Sequence, residues 1–320
     1  MTHPTTHSAP AAVVAPARAR AELLEKVEDR LHALLNDEYR RRTGDLRAAV
    51  LIESLAELVS AGDGRVRPQV LLTGYLAAGG SLEGPEAEAA VDAAAALELL
   101  DTCTLVRADV YDNAPLRRGL PALHVRHAGD HERNGWAGES RRFGECAATL
   151  GGDLALAWAD RLARRLPPEA VRLWEELRTE RALGLYTHEA TAAAYLEDPW
   201  PGQCIAGCTD GCAAGWYALR HPLLLGAHLA GRPDLAGTYA DYALPLHAAW
   251  RMRGFLSGGP EYDWEAELLR EVLLEDRERA VAEEIIRDLT DRAGRVAAGS
   301  ALSPEWREEL AAFAGRVTAG

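Results

Sequence analysis

The chain has 320 residues, enough for one large domain or two small ones with a sizeable core. A net charge of −14 and an isoelectric point near 5.2 argue against nucleic acid or an anionic membrane surface as a partner. No apolar run reaches the roughly 18 residues of a membrane span, and no charged N-terminal segment runs into an apolar one, so the expectation is a cytoplasmic protein.

Residues 1–18, rich in Ala, Pro, Thr and His and without helical period, read as a disordered tail ahead of a single domain over 19–320. From Ala19 the pattern is helical almost throughout. Alanine and leucine dominate, and Gly and Pro fall between periodic segments. The periodicity predicts helices near 19–41, 45–61, 68–79 and 84–107. After a loop over 113–136 it predicts further helices near 138–164, 168–197, 205–230, 233–256, 262–293 and 303–316. Ser81 and Ser303 stand as candidate caps. The loop, with Pro115, Gly119, Pro121, Gly129 and Gly135, reads as functional.

The chemistry concentrates at the end of the fourth helix. Asp109 and Asp112 lie three apart, so on a helix both carboxylates share a face and can present oxygens to one hard cation. Magnesium takes one or two carboxylates and completes its shell with water and phosphate oxygens. Arg117 and Arg118, just beyond, can hold phosphate in bidentate fashion. The combination reads as a magnesium–diphosphate site.

Other residues are less specific. Five cysteines point to thiols rather than disulfides. Cys204, Cys208 and Cys212 fall four apart, about 12 Å of helix from first to last, which is poor zinc spacing. Small residues that let helices pack closely explain them as well. His127 and His131 read as solvated side chains of the loop.

Arg107-Ala108-Asp109, Asp112, Arg117-Arg118-Gly119, Pro121 and His124 resemble the first aspartate-rich region of the trans-isoprenyl diphosphate synthases, the polyprenyl synthetase family. That region runs roughly His-Asp-Asp-x-x-Asp, a spacer, then Arg-Arg-Gly-x-Pro and a histidine. Four further segments fit the family in order. Gly62-Asp63-Gly64-Arg65-Val66-Arg67-Pro68 is similar to its Gly-Gly-Lys-Arg-x-Arg-Pro, and Ala147–Asp153 to its Ala-Gly-Asp helix. Gly215–Ala227 is similar to Lys-Thr-x-x-Tyr…Pro-Leu-x-Leu-Gly-Ala, and Ala249–Arg253 to the stretch before the second aspartate-rich motif. The resemblance implies an all-α, single-domain isoprenoid-synthase-type helical bundle around a central cavity. It further implies magnesium at Asp109 and Asp112, and diphosphate held by Arg65, Arg67, Arg117, Arg118, Arg251 and Arg253. The partners it implies are a prenyl diphosphate and either a second copy or an intact synthase. For Cys204, Cys208 and Cys212 it offers a subunit contact, since some noncatalytic small subunits of plant geranyl diphosphate synthases carry Cys-x-x-x-Cys motifs.

The departures bear on function. The first aspartate of the motif is Ala108, the lysine of the first basic segment is Gly64, and the Lys-Thr pair is Ala213-Ala214. The Gly-Gln…Asp element is Gly184-Leu185…His188, and the second Asp-Asp-x-x-Asp is Gly254-Phe255-Leu256-Ser257-Gly258. The chain carries one lysine, Lys26, so drift would exchange Lys for Arg and keep the charge, whereas Gly and Ala keep none. Fewer magnesium ions than the family's three are expected, and each lost oxyanion contact costs about 3–4 kcal/mol of transition-state stabilisation. Ordinary chain elongation is therefore not expected, and the catalytic residues stay unassigned. Three roles remain open. One is a transferase or cyclase using a prenyl diphosphate with reduced magnesium dependence. Another is a catalytically impaired subunit that modulates an active prenyl diphosphate synthase. The third is a protein that binds a prenyl diphosphate without turning it over.

Overall fold

The computed structural model describes residues 15–62, 64–194, 216–257 and 276–319. They form an all-α bundle with one two-stranded hairpin. The helices are α1 (Pro16–Arg42), α2 (Leu46–Ser60), α3 (Val66–Ala77), α4 (Pro85–Tyr111), α5 (Leu123–Arg133), α6 (Ser140–Ala163) and α7 (Pro168–Ala194). A π-helical turn, Trp216–Arg220, leads into α8 (His221–Leu229). Then come α9 (Ala236–Ser257), α10 (Asp276–Ala298) and α11 (Pro304–Thr318).

Helix α4 organises the first core. It is apolar on every side, with Ala90, Val91, Ala93 to Leu97, Leu99 and Val106 buried, as expected of a helix surrounded by others. Helices α1, α3 and α6 pack around it. Helix α1 shows the commoner one-sided pattern: Ala19, Leu23, Val27, Leu31 and Leu34/Leu35 recur every three or four residues along its buried stripe. A second core joins α3 and α8 to α9, α10 and α11. Two buried phenols stitch it: Tyr239 donates to the Gly74 carbonyl at 2.7 Å and Tyr242 to that of Leu310 at 2.7 Å. Burial pushes both phenols well above the ordinary tyrosine range.

Some expectations change. The 113–136 stretch is not one loop. Leu116–Arg117 and Leu120–Pro121 pair as an antiparallel hairpin, and α5 follows. The helix escapes a hydropathy reading because its inner stripe is Leu123, His124, His127 and His131, and all four are buried. His127 and His131 are therefore not solvated. His131 instead packs edge-on against Trp136 and tilted against Phe143, and its Nε2 lies 3.2 Å from the Ala137 carbonyl. Ser81 does not cap α4: its hydroxyl donates to the Glu83 carbonyl, and Gly84 holds the cap position. Ser303 does precede α11 with Pro304 in its first turn, though its hydroxyl meets the Glu305 carboxylate rather than a backbone N–H.

The tail expected over residues 1–18 is shorter: Pro16 opens α1 with its fixed φ, so Pro16–Arg18 are helical, while residues 1–14 and Cys204, Cys208 and Cys212 lie outside the described residues. So do the predicted helical turns at 205–215 and 262–275. No helix among the described residues is long and apolar enough to cross a membrane.

Candidate functional site

Helix α4 runs to Tyr111, so Asp109 falls inside it and Asp112 at its C-cap. The Arg117–Arg118–Gly119 sequence then makes the hairpin turn. Arg117 pairs with Leu120, and Arg118 and Gly119 are the two central residues with φ of +53° and +76°, the combination a primed two-residue hairpin turn requires. The turn sends the two arginines to different places.

Arg117 points back to Asp109. Its Nε and Nη2 lie 2.7 and 2.5 Å from Asp109 Oδ1, and both side chains are buried. Burial pushes the Asp109 carboxyl up, and Arg117 opposes that shift. Burial likewise lowers the pKa of His124, which lies near Asp109 and keeps both ring nitrogens without a hydrogen-bond partner.

Arg118 turns the other way, to residues of α4 about two to three turns before Asp109. Its Nη2 lies 3.1 Å from Glu98 Oε1 and 3.5 Å from Asp101 Oδ2, and its Nη1 donates to the Leu58 carbonyl at 3.1 Å. Glu98 and Asp101 are three apart and share a face. Arg65, at the start of α3 with φ of +37°, reaches the same Glu98 oxygen at 2.6 Å. Its Nε and Nη2 grip the Glu28 carboxylate of α1 at 2.7 and 3.0 Å. Burial works against the Arg65 charge, but Glu28 and Glu98 outweigh it and raise the pKa. Arg67 Nη1 lies 2.7 Å from Asp101 Oδ1. Burial, and then the charge of Asp101, push Glu98 up, while Arg65 and Arg118 pull it down. Three arginines and three carboxylates thus form one compact, mostly buried cluster of zero net charge.

The six arginines of the sequence pattern therefore do not share one site. Arg65, Arg67 and Arg118 converge, and Arg117 stands with Asp109. Arg253 lies elsewhere, bidentate to Glu283 of α10 at 2.5 and 2.6 Å and donating to the Thr318 carbonyl. Arg251 lies on α9, half-buried. Gly254 to Ser257 close α9, where the second aspartate-rich motif would begin. The carboxylates that complete the cluster, Glu28, Glu98 and Asp101, were not singled out from sequence. The available signal was an acidic pair inside the apolar run Ala93–Cys103, because a charge buried there needs a partner.

Magnesium fits the arrangement poorly. Asp109 Oδ2 is buried without a hydrogen-bond partner, an atom a cation could satisfy. However, Oδ1 is held by Arg117, the carboxylate is sealed from solvent, and Asp112 stands exposed at the helix end. Among the described residues no three His, Cys, Asp or Glu side chains gather as a metal site.

Residues 48–190 match the family model for polyprenyl synthetase. The nonaprenyl diphosphate synthase of Mycobacterium tuberculosis is 37% identical over 131 residues, covering 40% of this chain and 33% of that protein. The geranylgeranyl diphosphate synthase of Methanosarcina mazei is 30% identical over 150 residues, 43% of this chain and 40% of that protein. These matches span a third to two fifths of the relatives' own length. In three dimensions the likeness covers nearly the whole chain. A geranylgeranyl pyrophosphate synthase from Corynebacterium glutamicum, complexed with isoprenyl diphosphate and magnesium, superposes with a TM-score of 0.77. The identity is 24%, over 93% of this chain and 98% of that one. A geranyltranstransferase from Thermotoga maritima gives 0.66 at 20% identity, over 94% and 99%. At those identities the structures speak for the fold.

Proposed function

We propose that the chain, whose residues 48–190 match the polyprenyl synthetase model, serves isoprenoid biosynthesis as a partner subunit of an active prenyl diphosphate synthase, without chain elongation of its own. One observation carries this reading. Five of the six arginines expected to hold diphosphate already face a carboxylate of this chain: Arg65, Arg67, Arg117, Arg118 and Arg253. A diphosphate would have to compete with internal anions that are tethered in place and need no association entropy. The missing Ala108 and Gly254–Gly258 carboxylates and the tied-up Asp109 leave little to stabilise a departing diphosphate.

Unburied apolar side chains support the association half of the reading. Trp136, Phe143 and Leu150, all near or on α6, are exposed in the single chain. Co-expression with an intact prenyl diphosphate synthase tests it. The expected outcome is co-purification of the two chains and a changed product chain length relative to the synthase alone. Separate elution with unchanged products would refute the partner role.

A second reading has its own support. The residues at Asp109, Asp112, Arg117, Arg118 and Gly119 all match the first aspartate-rich region of the family. On it the chain is a transferase or cyclase taking a prenyl diphosphate.

A further inference from the structure

We propose that Asp101 is an internal counter-ion that keeps the Arg65–Arg67–Arg118 cluster from taking a pyrophosphate-class anion. The proposal rests on the reading of the chain as closed to diphosphate and names the residue responsible.

The cluster is built as a seat for an anion. Arg65 and Arg118 both adopt positive φ, a region that disfavours side chains other than glycine by about 1–2 kcal/mol each. Both guanidinium groups lie over the backbone of Gly62, where a Cβ would sit only 2.5 Å from Arg65 Nη1 and 2.6 Å from Arg118 Nη1. Two like charges are thus brought side by side, and a shared anion, here Glu98, offsets their repulsion. Arg67 and Arg118 keep 16% and 13% of their side-chain surface open, against 6% for Arg65.

The three carboxylates are not equivalent. Glu28 grips the far edge of Arg65 in bidentate fashion. Glu98 bridges Arg65 and Arg118 through one buried oxygen and is part of the frame. Asp101 is held least well. Its Oδ1 lies 2.7 Å from Arg67 Nη1 but off the line of a hydrogen bond, and its Oδ2 is 3.5 Å from Arg118. It pairs with Arg67 and Arg118, the two less buried arginines of the cluster, and occupies the position a phosphate oxygen bridging them would take. Its charge also works against that of Glu98. Asp101→Asn keeps the shape and leaves three positive charges against the two of Glu28 and Glu98, a net +1 in a site geometrically suited to bidentate oxyanions.

The test is calorimetric titration of the full chain with inorganic pyrophosphate, without magnesium and at low salt. The wild type is expected to bind weakly, and Asp101→Asn to bind at least about tenfold more tightly, in line with the coupling of close charge pairs. Adding Arg118→Ala should remove that gain. Asp101→Ser serves as a second variant should the first fail to fold. If either variant melts like the wild type and binds pyrophosphate no better, the proposal is overturned while the closed-site reading stands. Tight binding by the wild type, at the level expected of Asp101→Asn, overturns both.

Discussion

Arg117→Met is expected to destabilise the fold by about 3–5 kcal/mol, the usual consequence of leaving one half of a buried ion pair. That is a large fraction of the roughly 5–15 kcal/mol that holds a domain of ordinary stability. Asp109 is 1% exposed and has no second hydrogen-bond partner, because its Oδ2 faces none and His124 nearby is kept neutral by burial. The effect carries a pH signature. Burial already holds the Asp109 pKa above the ordinary value despite Arg117, and without the arginine it moves higher still. A carboxyl whose folded pKa is raised favours the folded state while protonated, and loses that advantage as pH rises through the folded value. The deficit of Arg117→Met should therefore be largest near neutral pH and shrink toward about pH 4, where carboxyls begin to protonate. Urea unfolding at both pH values measures it. The double variant Arg117→Met, Asp109→Leu should recover most of the loss, since a buried pair replaced by apolar residues is often neutral.

Gly226→Ala should be nearly as damaging, for a steric reason. Helices α3 and α8 cross with Gly74 and Gly226 at the contact, close enough that a Cβ on Gly226 would lie 2.5 Å from both the Leu71 carbonyl oxygen and the Tyr75 nitrogen. Those are backbone atoms and cannot rotate away, so the helices must part. Overpacking of this kind costs about 1–3 kcal/mol and occasionally more. The separation would also strain the Tyr239 bond to the Gly74 carbonyl, which ties α9 to the same crossing. A lower denaturation midpoint with an unchanged slope is the expected result. A variant as stable as the wild type would mean that the two helices do not meet this closely.

Most of the fold was legible because its signals are local. Apolar residues at helical spacing marked α1 to α4 and α6, and the ordered motif matches pointed to the family and its all-α bundle. Helix α5 was hidden because histidines carry its buried stripe, and no hydropathy pattern announces a buried imidazole. The site was legible in part. The resemblance grouped Arg65, Arg67, Arg117, Arg118, Arg251 and Arg253 as one diphosphate-holding set. What sequence alone did not reveal is that the hairpin turn at Arg118–Gly119 divides the set, with Arg117 facing Asp109 and Arg118 facing Glu98 and Asp101. Nor did it pair Arg253 with Glu283, thirty residues on. Charges of one sign can be read along a chain, but their neutralisation depends on which helices lie side by side.

The most direct test of the central claim is a product assay on the purified chain alone. It would be incubated with magnesium and dimethylallyl, geranyl, farnesyl or geranylgeranyl diphosphate, each with and without isopentenyl diphosphate, and read by mass spectrometry. The closed arginine cluster and the sealed Asp109 predict that every diphosphate is recovered unchanged. An elongated diphosphate would contradict the account outright. A cyclised or hydrolysed hydrocarbon would contradict it in favour of the transferase or cyclase reading.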